Sequence, residues 1–152
     1  RQTVDEQLEV KVARTHPDAK LPTKGSEYAA GWDLYALEDT EVPFRQSMRL
    51  RTGLHVAIPV GYEGQVRARS SLGSKGLILP HSIGTIDADY RGELFVLMTW
   101  IGEGGSYTVK AGERIAQMLI SPIPNVSFRE VDFDDLGKTE RGDGGFGSTG
   151  RF

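Results

Sequence analysis

Leu8, Val10 and Val12 alternate with Glu9 and Lys11, and the alternation lapses at Ala13 and Arg14. A period of two sets one face of an extended segment against a core and the other in water, so this run predicts a half-buried strand and its end. Similar runs from Leu54 to Ile58, Gly64 to Arg69, Glu93 to Ile101, Tyr107 to Val109, Arg114 to Ile120 and Val126 to Phe133 predict further strands. Pro59-Val60-Gly61, Gly102-Glu103-Gly104-Gly105 and Pro122-Ile123-Pro124 punctuate them as turns or breaks. No long window carries a helical stripe of apolar residues, and the single helical expectation is one short turn from Ser70 to Lys75. Many short strands between turn signals predict an all-β sandwich or barrel without internal repeats.

Composition narrows the picture. With 152 residues, 38% hydrophobic and 26% charged, the chain suffices for one domain with a real core. Its formal net charge of -3 makes it a poor electrostatic binder of nucleic acid, so any polyanion it holds has to meet locally concentrated arginines or a metal. Zero cysteines exclude disulfides and thiolate metal sites. There is no apolar run of membrane-spanning length and no secretory leader, which predicts a soluble cytoplasmic protein without a membrane partner. A chain that begins at Arg1 is also compatible with a trimmed amino terminus.

The chemistry concentrates at the carboxyl end. Five of the nine residues from Gly142 to Gly150 are glycine, which leaves backbone N–H groups open and permits positive φ, as wrapping a phosphate requires. Arg141 and Arg151 suit phosphate, and Phe146 offers a flat face to a base. Gly142 to Gly147 matches G-x-G-x-x-G, but that fingerprint needs a strand before it and a helix after it, and here the chain ends five residues later. A P-loop fails as well, because Ser148 stands where lysine belongs. On composition alone the segment reads equally as a nucleotide clamp and as a flexible, solvated end.

Three interior segments share this polar character. Ala29-Ala30-Gly31-Trp32-Asp33-Leu34 delivers a carboxylate from a small-residue turn, although an aspartate beside a glycine is usually just a turn residue. Arg67-Ala68-Arg69-Ser70-Ser71-Leu72-Gly73-Ser74-Lys75-Gly76 ends a strand in arginine and two hydroxyls. It could bind an anion, or Ser70 or Ser71 could simply cap the short helix with Arg69 in a structural ion pair. Gly84-Thr85-Ile86-Asp87-Ala88-Asp89-Tyr90-Arg91-Gly92 predicts a hairpin or polar turn. Asp87 and Tyr90 would face opposite ways in a strand, so a shared site for them requires the chain to turn.

With Gly112-Glu113-Arg114-Ile115-Ala116-Gln117 as the fourth segment and Arg141 to Gly150 as the fifth, these motifs, in this order, resemble the trimeric all-β dUTPase family. The resemblance implies a jelly-roll-like β-barrel or sandwich over residues 1–136, a flexible glycine-rich lid over 137–152, and a homotrimer with interfacial active sites. It also implies hydrolysis of dUTP to dUMP and pyrophosphate with Mg2+, which keeps uracil out of DNA and supplies dUMP for thymidylate synthesis. Asp87 matches the general base, and Tyr90 the ring beneath the deoxyribose that leaves no room for a 2′-hydroxyl. Gly84, Thr85 and Ile86 match main-chain contacts to uracil, and His81 stands where some members have a uracil-contacting asparagine. Arg69, Ser70 and Gln117 match phosphate contacts, with Ser71 where many members have glycine. Asp33 matches a carboxylate that reaches the metal through water. In the lid, Phe146 matches the stacking aromatic, Arg141 the contact to the terminal phosphate, and Gly147, Ser148 and Thr149 further phosphate donors.

Two rivals fit less well. The related dCTP deaminases share the Arg-Ser-Ser run, but Leu97 and Ser74 stand where that family has a glutamate and an arginine needed for deamination. A module holding single-stranded nucleic acid through its Arg/Gly/Phe tail would be expected to repeat such units, and this tail has a single Arg-Gly pair before its glycines.

Overall fold

A computed structural model describes residues 7–152; the expectation for the amino terminus at Arg1 lies outside them. The described residues form eleven strands: β1 (Lys11–Arg14), β2 (Trp32–Tyr35), β3 (Thr40–Pro43), β4 (Ser47–Arg51), β5 (Leu54–Ala57), β6 (Tyr62–Ala68), β7 (Leu77–Ile78), β8 (Gly84–Ile86), β9 (Phe95–Trp100), β10 (Ser106–Val109) and β11 (Arg114–Pro122). One helix, α1 (Ser70–Lys75), follows β6, and a 3-10 turn spans Phe133–Leu136. The chain is thus a single all-β domain, as the alternating pattern predicts.

All strand pairing in the ladders is antiparallel. β2-β11-β6-β8 form a four-stranded sheet, β4-β9-β7 a three-stranded one, and β1 with β5 and β3 with β10 form two ribbons. Alternation does the work locally: β5 buries Leu54 and Val56, and β6 buries Gly64 and Val66 while Arg67 faces water. Leu34, Leu54, Leu77, Met98 and Ile115 come from different strands and are each 0% exposed. Each such side chain contributes about 1.5–3 kcal/mol by leaving water. A Cβ on Gly64 would come within 2.8 Å of Ile58 and 3.0 Å of Ile86, so glycine there is what lets β8 lie close against β6.

Several boundaries differ from the sequence pattern. The first strand lies at Lys11–Arg14 rather than beginning at Leu8, because its ladder is set by β5, with Lys11 opposite Ala57 and Arg14 opposite Leu54. Asp33, expected in a turn, sits inside β2, where Leu34 is the buried anchor. β3 and β4 have no alternating signal, since each buries only one residue, Val42 and Leu50. No strand forms from Val126 to Phe133: among the described residues it has no partner strand, and Phe128 is 99% exposed. β propensity without an edge to pair with does not make a strand.

Candidate active site

The first polar cluster grows out of the four-stranded sheet. Asp33 on β2 pairs across to Gln117 on β11, and Gln117 in turn pairs across to Arg67 on β6. The Gln117 side-chain amide donates to the Ala68 carbonyl at 3.3 Å. Gly31 leaves room for this side chain, because a Cβ there would lie 2.5 Å from Gln117 Oε1 and would force the amide to shift. Where β6 ends, Arg69 donates to the carbonyl of Arg114 at 3.0 Å, and the Arg114 guanidinium stands 3.6 Å from the Asp33 carboxylate, which is 17% exposed. A β-bulge between Arg114 and Ala116 shifts the register of β11 against β2 at this point. Bulges re-aim side chains in this way. Arg114 therefore organises both Arg69 and Asp33, a role that sequence reasoning missed because strand pairing, not spacing, brings them together.

Ser70 and Ser71 open α1 beside this cluster with exposed side chains. The capping alternative does not hold: Arg69 is the N-cap residue, with extended backbone and no side-chain cap bond, so neither serine hydroxyl is used as a cap. Nor is Arg69 in an ion pair among the described residues; its recorded partner is a carbonyl.

Tyr107 and Glu113 stand behind Arg69. The Tyr107 hydroxyl donates to Glu113 at 2.6 Å, the other Glu113 oxygen accepts from the Lys110 N–H at 3.0 Å, and the Tyr107 ring packs against Trp100 with centroids 5.2 Å apart. Burial first, then the bond to Glu113 and its charge, push the Tyr107 phenol up to about 12, against an opposing effect of Arg69.

The second cluster lies along β8. This strand pairs with β6 on one side only and forms an edge of the sheet, so main-chain groups of Gly84, Thr85 and Ile86 on its far side are free of the ladder. A cavity of about 230 Å³ opens there, lined by His81, Gly84, Thr85, Ile86, Phe95 and Leu97 among others. Beyond β8 the chain turns, with the Tyr90 N–H donating to the Asp87 carbonyl at 3.1 Å. The expected turn is present, but as the exit of an edge strand rather than the tip of a hairpin. The Asp87 side chain is exposed, and the Tyr90 hydroxyl donates to the Glu93 carbonyl at 2.7 Å.

The two clusters are not joined within the chain. Ile86 pairs with Gly64, which places Asp87 beside Glu63, six residues before Arg69 along the chain. At about 3.3 Å per residue the separation is roughly 20 Å. The glycine-rich tail joins neither: Arg141 donates to its own Gly144 carbonyl at 2.6 Å, Ser148 N–H to Gly145 and Gly150 N–H to Gly147. Phe146 is fully exposed at positive φ, and Gly147, Ser148 and Thr149 are exposed to solvent. Leu97 faces the β8 cavity, and Ser74 donates to the Ser71 carbonyl at 3.0 Å, so neither position supplies the groups a deamination needs.

The fold is that of solved dUTPases. A variant of the Staphylococcus bacteriophage 80alpha dUTPase with dUpNHpp superposes with a TM-score of 0.86 at 28% identity, covering 95% of this chain and 100% of that one. A mutant of the dUTPase from S. aureus phage phi11, described for coordination of a structural Mg(II) ion, shares the fold at 23% identity and a TM-score of 0.77, over 84% of this chain and 99% of that one. The dUTPase family model matches residues 17–150, and the chain belongs to that family. It is 46% identical over 146 residues to the deoxyuridine 5'-triphosphate nucleotidohydrolase of Syntrophotalea carbinolica, covering 94% of this chain and 97% of that protein. To the Candida albicans enzyme of the same name it is 39% identical over 155 residues, covering 99% and 94%.

The Tyr107 assignment has a measurable sign. Its folded value lies above that of an unfolded tyrosine, about 10, so the stabilisation is fully present below pH ~10 and is lost as pH rises toward about 12. Melting temperature measured against pH should therefore fall more steeply over this window in the wild type than in Tyr107→Phe. Parallel curves would contradict the assignment.

Proposed function

We propose that the chain hydrolyses dUTP to dUMP and pyrophosphate in active sites shared between copies of a homotrimer. The observation that carries the shared site is the distance along β6: Asp87 stands roughly 20 Å from Arg69 in one protomer, yet a single α-phosphate has to be reached by both. A neighbouring copy that presents its Asp87 turn to the Arg69 end of the sheet meets this requirement. The exposed apolar side chains Ile123, Val126 and Phe128, which follow β11, are available for packing between copies.

The uracil base enters the cavity beside β8, where free main-chain groups of Gly84, Thr85 and Ile86 read its edge as a paired strand would, with His81 at the rim. A cytosine amino group there leaves a donor without its acceptor, at a cost of about 1–3 kcal/mol. Tyr90 packs under the deoxyribose. Arg69, Ser70, Ser71 and Gln117 hold the phosphates through charge and hydroxyl or amide donors. Asp87 orients a water and takes its proton as the oxygen attacks the α-phosphorus. The new bond joins that oxygen to the α-phosphorus, the bond to the bridging oxygen breaks, and pyrophosphate leaves.

Among the described residues no three His, Asp or Glu side chains converge as a metal site. Asp33 would hold Mg2+ only through a water, which suits an ion that prefers phosphate oxygens and retained waters, and the ion bound with the triphosphate would neutralise phosphate charge. Residues 137–152 close over the nucleotide as a lid: Phe146 stacks on the base, Arg141 meets the terminal phosphate, and Gly147, Ser148 and Thr149 donate to phosphate oxygens. The activity keeps uracil out of DNA and yields dUMP for thymidylate synthesis, in the cytoplasm. No helix among the described residues is long and apolar enough to cross a membrane.

Pyrophosphate release with dUTP, UTP, dCTP and dTTP in magnesium tests this reading. Turnover should be confined to dUTP, and Asp87→Asn should lower it about 10²–10⁴-fold. Full activity in Asp87→Asn, or no turnover of dUTP by the wild type, defeats the proposal. Removing Arg141 to Phe152 should greatly lower kcat/KM while leaving the assembly intact by light scattering; if the assembly falls apart instead, the tail is structural and not a lid.

A further inference from the structure

The turn that carries Asp87 and Tyr90 is anchored from outside the site by a group the mechanism above does not use. Glu93 is 12% exposed, and Arg51 at the end of β4 meets it with two parallel bonds, Nε to Oε2 at 3.1 Å and the terminal amino group to Oε1 at 3.0 Å. The Gly53 N–H adds a third bond to Oε2 at 3.2 Å. Burial alone would raise the Glu93 carboxyl, but the Arg51 bonds, the Gly53 N–H and the nearby charges outweigh it and hold it below the ordinary carboxylate value. Arg51 has a second, weaker partner in Glu38 at 3.4 Å, where both side chains are about half exposed.

The main chain of the same residue faces the other way. The Glu93 carbonyl accepts the Tyr90 hydroxyl at 2.7 Å, which folds the tyrosine ring back over Gly92, where a side chain would displace the ring. Next along the chain, the Leu94 carbonyl accepts from the buried Thr52 hydroxyl at 2.7 Å and the Leu94 N–H donates to Leu54. His55 bonds to the Arg91 carbonyl at 2.8 Å, and the Arg91 guanidinium donates back to the Ala88 carbonyl at 2.7 Å. One residue thus clamps to the three-stranded sheet with its side chain and holds the tyrosine with its backbone.

We infer that Glu93, gripped by Arg51, is a positioning residue: it fixes the height of the Tyr90 ring and the reach of Asp87, and so sets both ribose exclusion and turnover. The inference rests on the reading that this turn performs the chemistry. A planar, doubly bonded guanidinium is a rigid anchor, and a lysine cannot reproduce its fork. Releasing it leaves the Tyr90 ring free to drop away from the sugar, making room for a 2′-hydroxyl. The phosphate contacts, on the other end of the sheet, are left in place.

The test compares wild type, Glu93→Gln, Arg51→Lys and Glu38→Gln, with kcat and KM for dUTP and UTP measured well below each melting temperature. Glu93→Gln and Arg51→Lys should each lower kcat for dUTP about tenfold and the dUTP-to-UTP ratio of kcat/KM about tenfold, with a smaller change in KM for dUTP. Glu38→Gln should leave both unchanged. Should Glu93→Gln not fold, Arg51→Lys, which keeps the charge, decides the matter alone. Variants that melt earlier but keep kcat and the ratio within about twofold of wild type overturn the inference and leave the proposed function standing. A wild type inert toward dUTP overturns both.

Discussion

Strand β6 is paired on both edges, with β11 on one side and β8 on the other, and these two registers decide where the two polar clusters stand. Through β11 they bring Gln117, and behind it Asp33, level with the end of β6 that carries Arg69. Through β8 they send Asp87 the opposite way. A one-residue slip on either side would turn buried side chains such as Val66 to water, so the core holds the registers firmly. The separation of the two clusters follows from the same pairing that folds the sheet.

Within each cluster, polar groups are held by main chain as much as by one another. Arg69 leans on a carbonyl, Gln117 on a carbonyl, and Tyr90 on a carbonyl. Such anchors leave charges available for a ligand while limiting the freedom that ligand binding would otherwise have to remove. Glu93 and Asp33, both largely buried and both facing an arginine, differ in geometry. Glu93 takes two arginine bonds and one backbone bond, whereas Asp33 has a single 3.6 Å approach from Arg114. The first is built as a fixed support; the second remains free to take hydrogen bonds from water.

Much of the fold was legible from alternation. β5, β6, β9, β10 and β11 each lie within a residue or two of the runs that Val, Ile, Leu and Met mark out, and α1 coincides with the expected short helix. β3 and β4 escaped because a strand that buries one side chain has no period to read. Val126 to Phe133 misled for the converse reason, since its apolar residues find no partner strand among the described residues. The motifs of the site were visible as residues, and their roles came from family resemblance. The supports were not visible: Arg114 with Asp33, and Arg51 with Glu93, are remote in sequence and meet only through β11-β2 pairing and through β4-β9 pairing, which sets Arg51 opposite Phe95, two residues past Glu93.

The central claim is that Arg69 and Asp87 act on one nucleotide from different copies of the chain. Mixing subunits tests it directly: Arg69→Ala and Asp87→Asn, each inactive alone, are refolded together at equal amounts and assayed with dUTP. Random assembly leaves both natural residues in about a quarter of shared sites, and activity should return to about that fraction of wild type. Activity that stays at the sum of the two separate variants would contradict the account, because it would place both residues in one protomer's site.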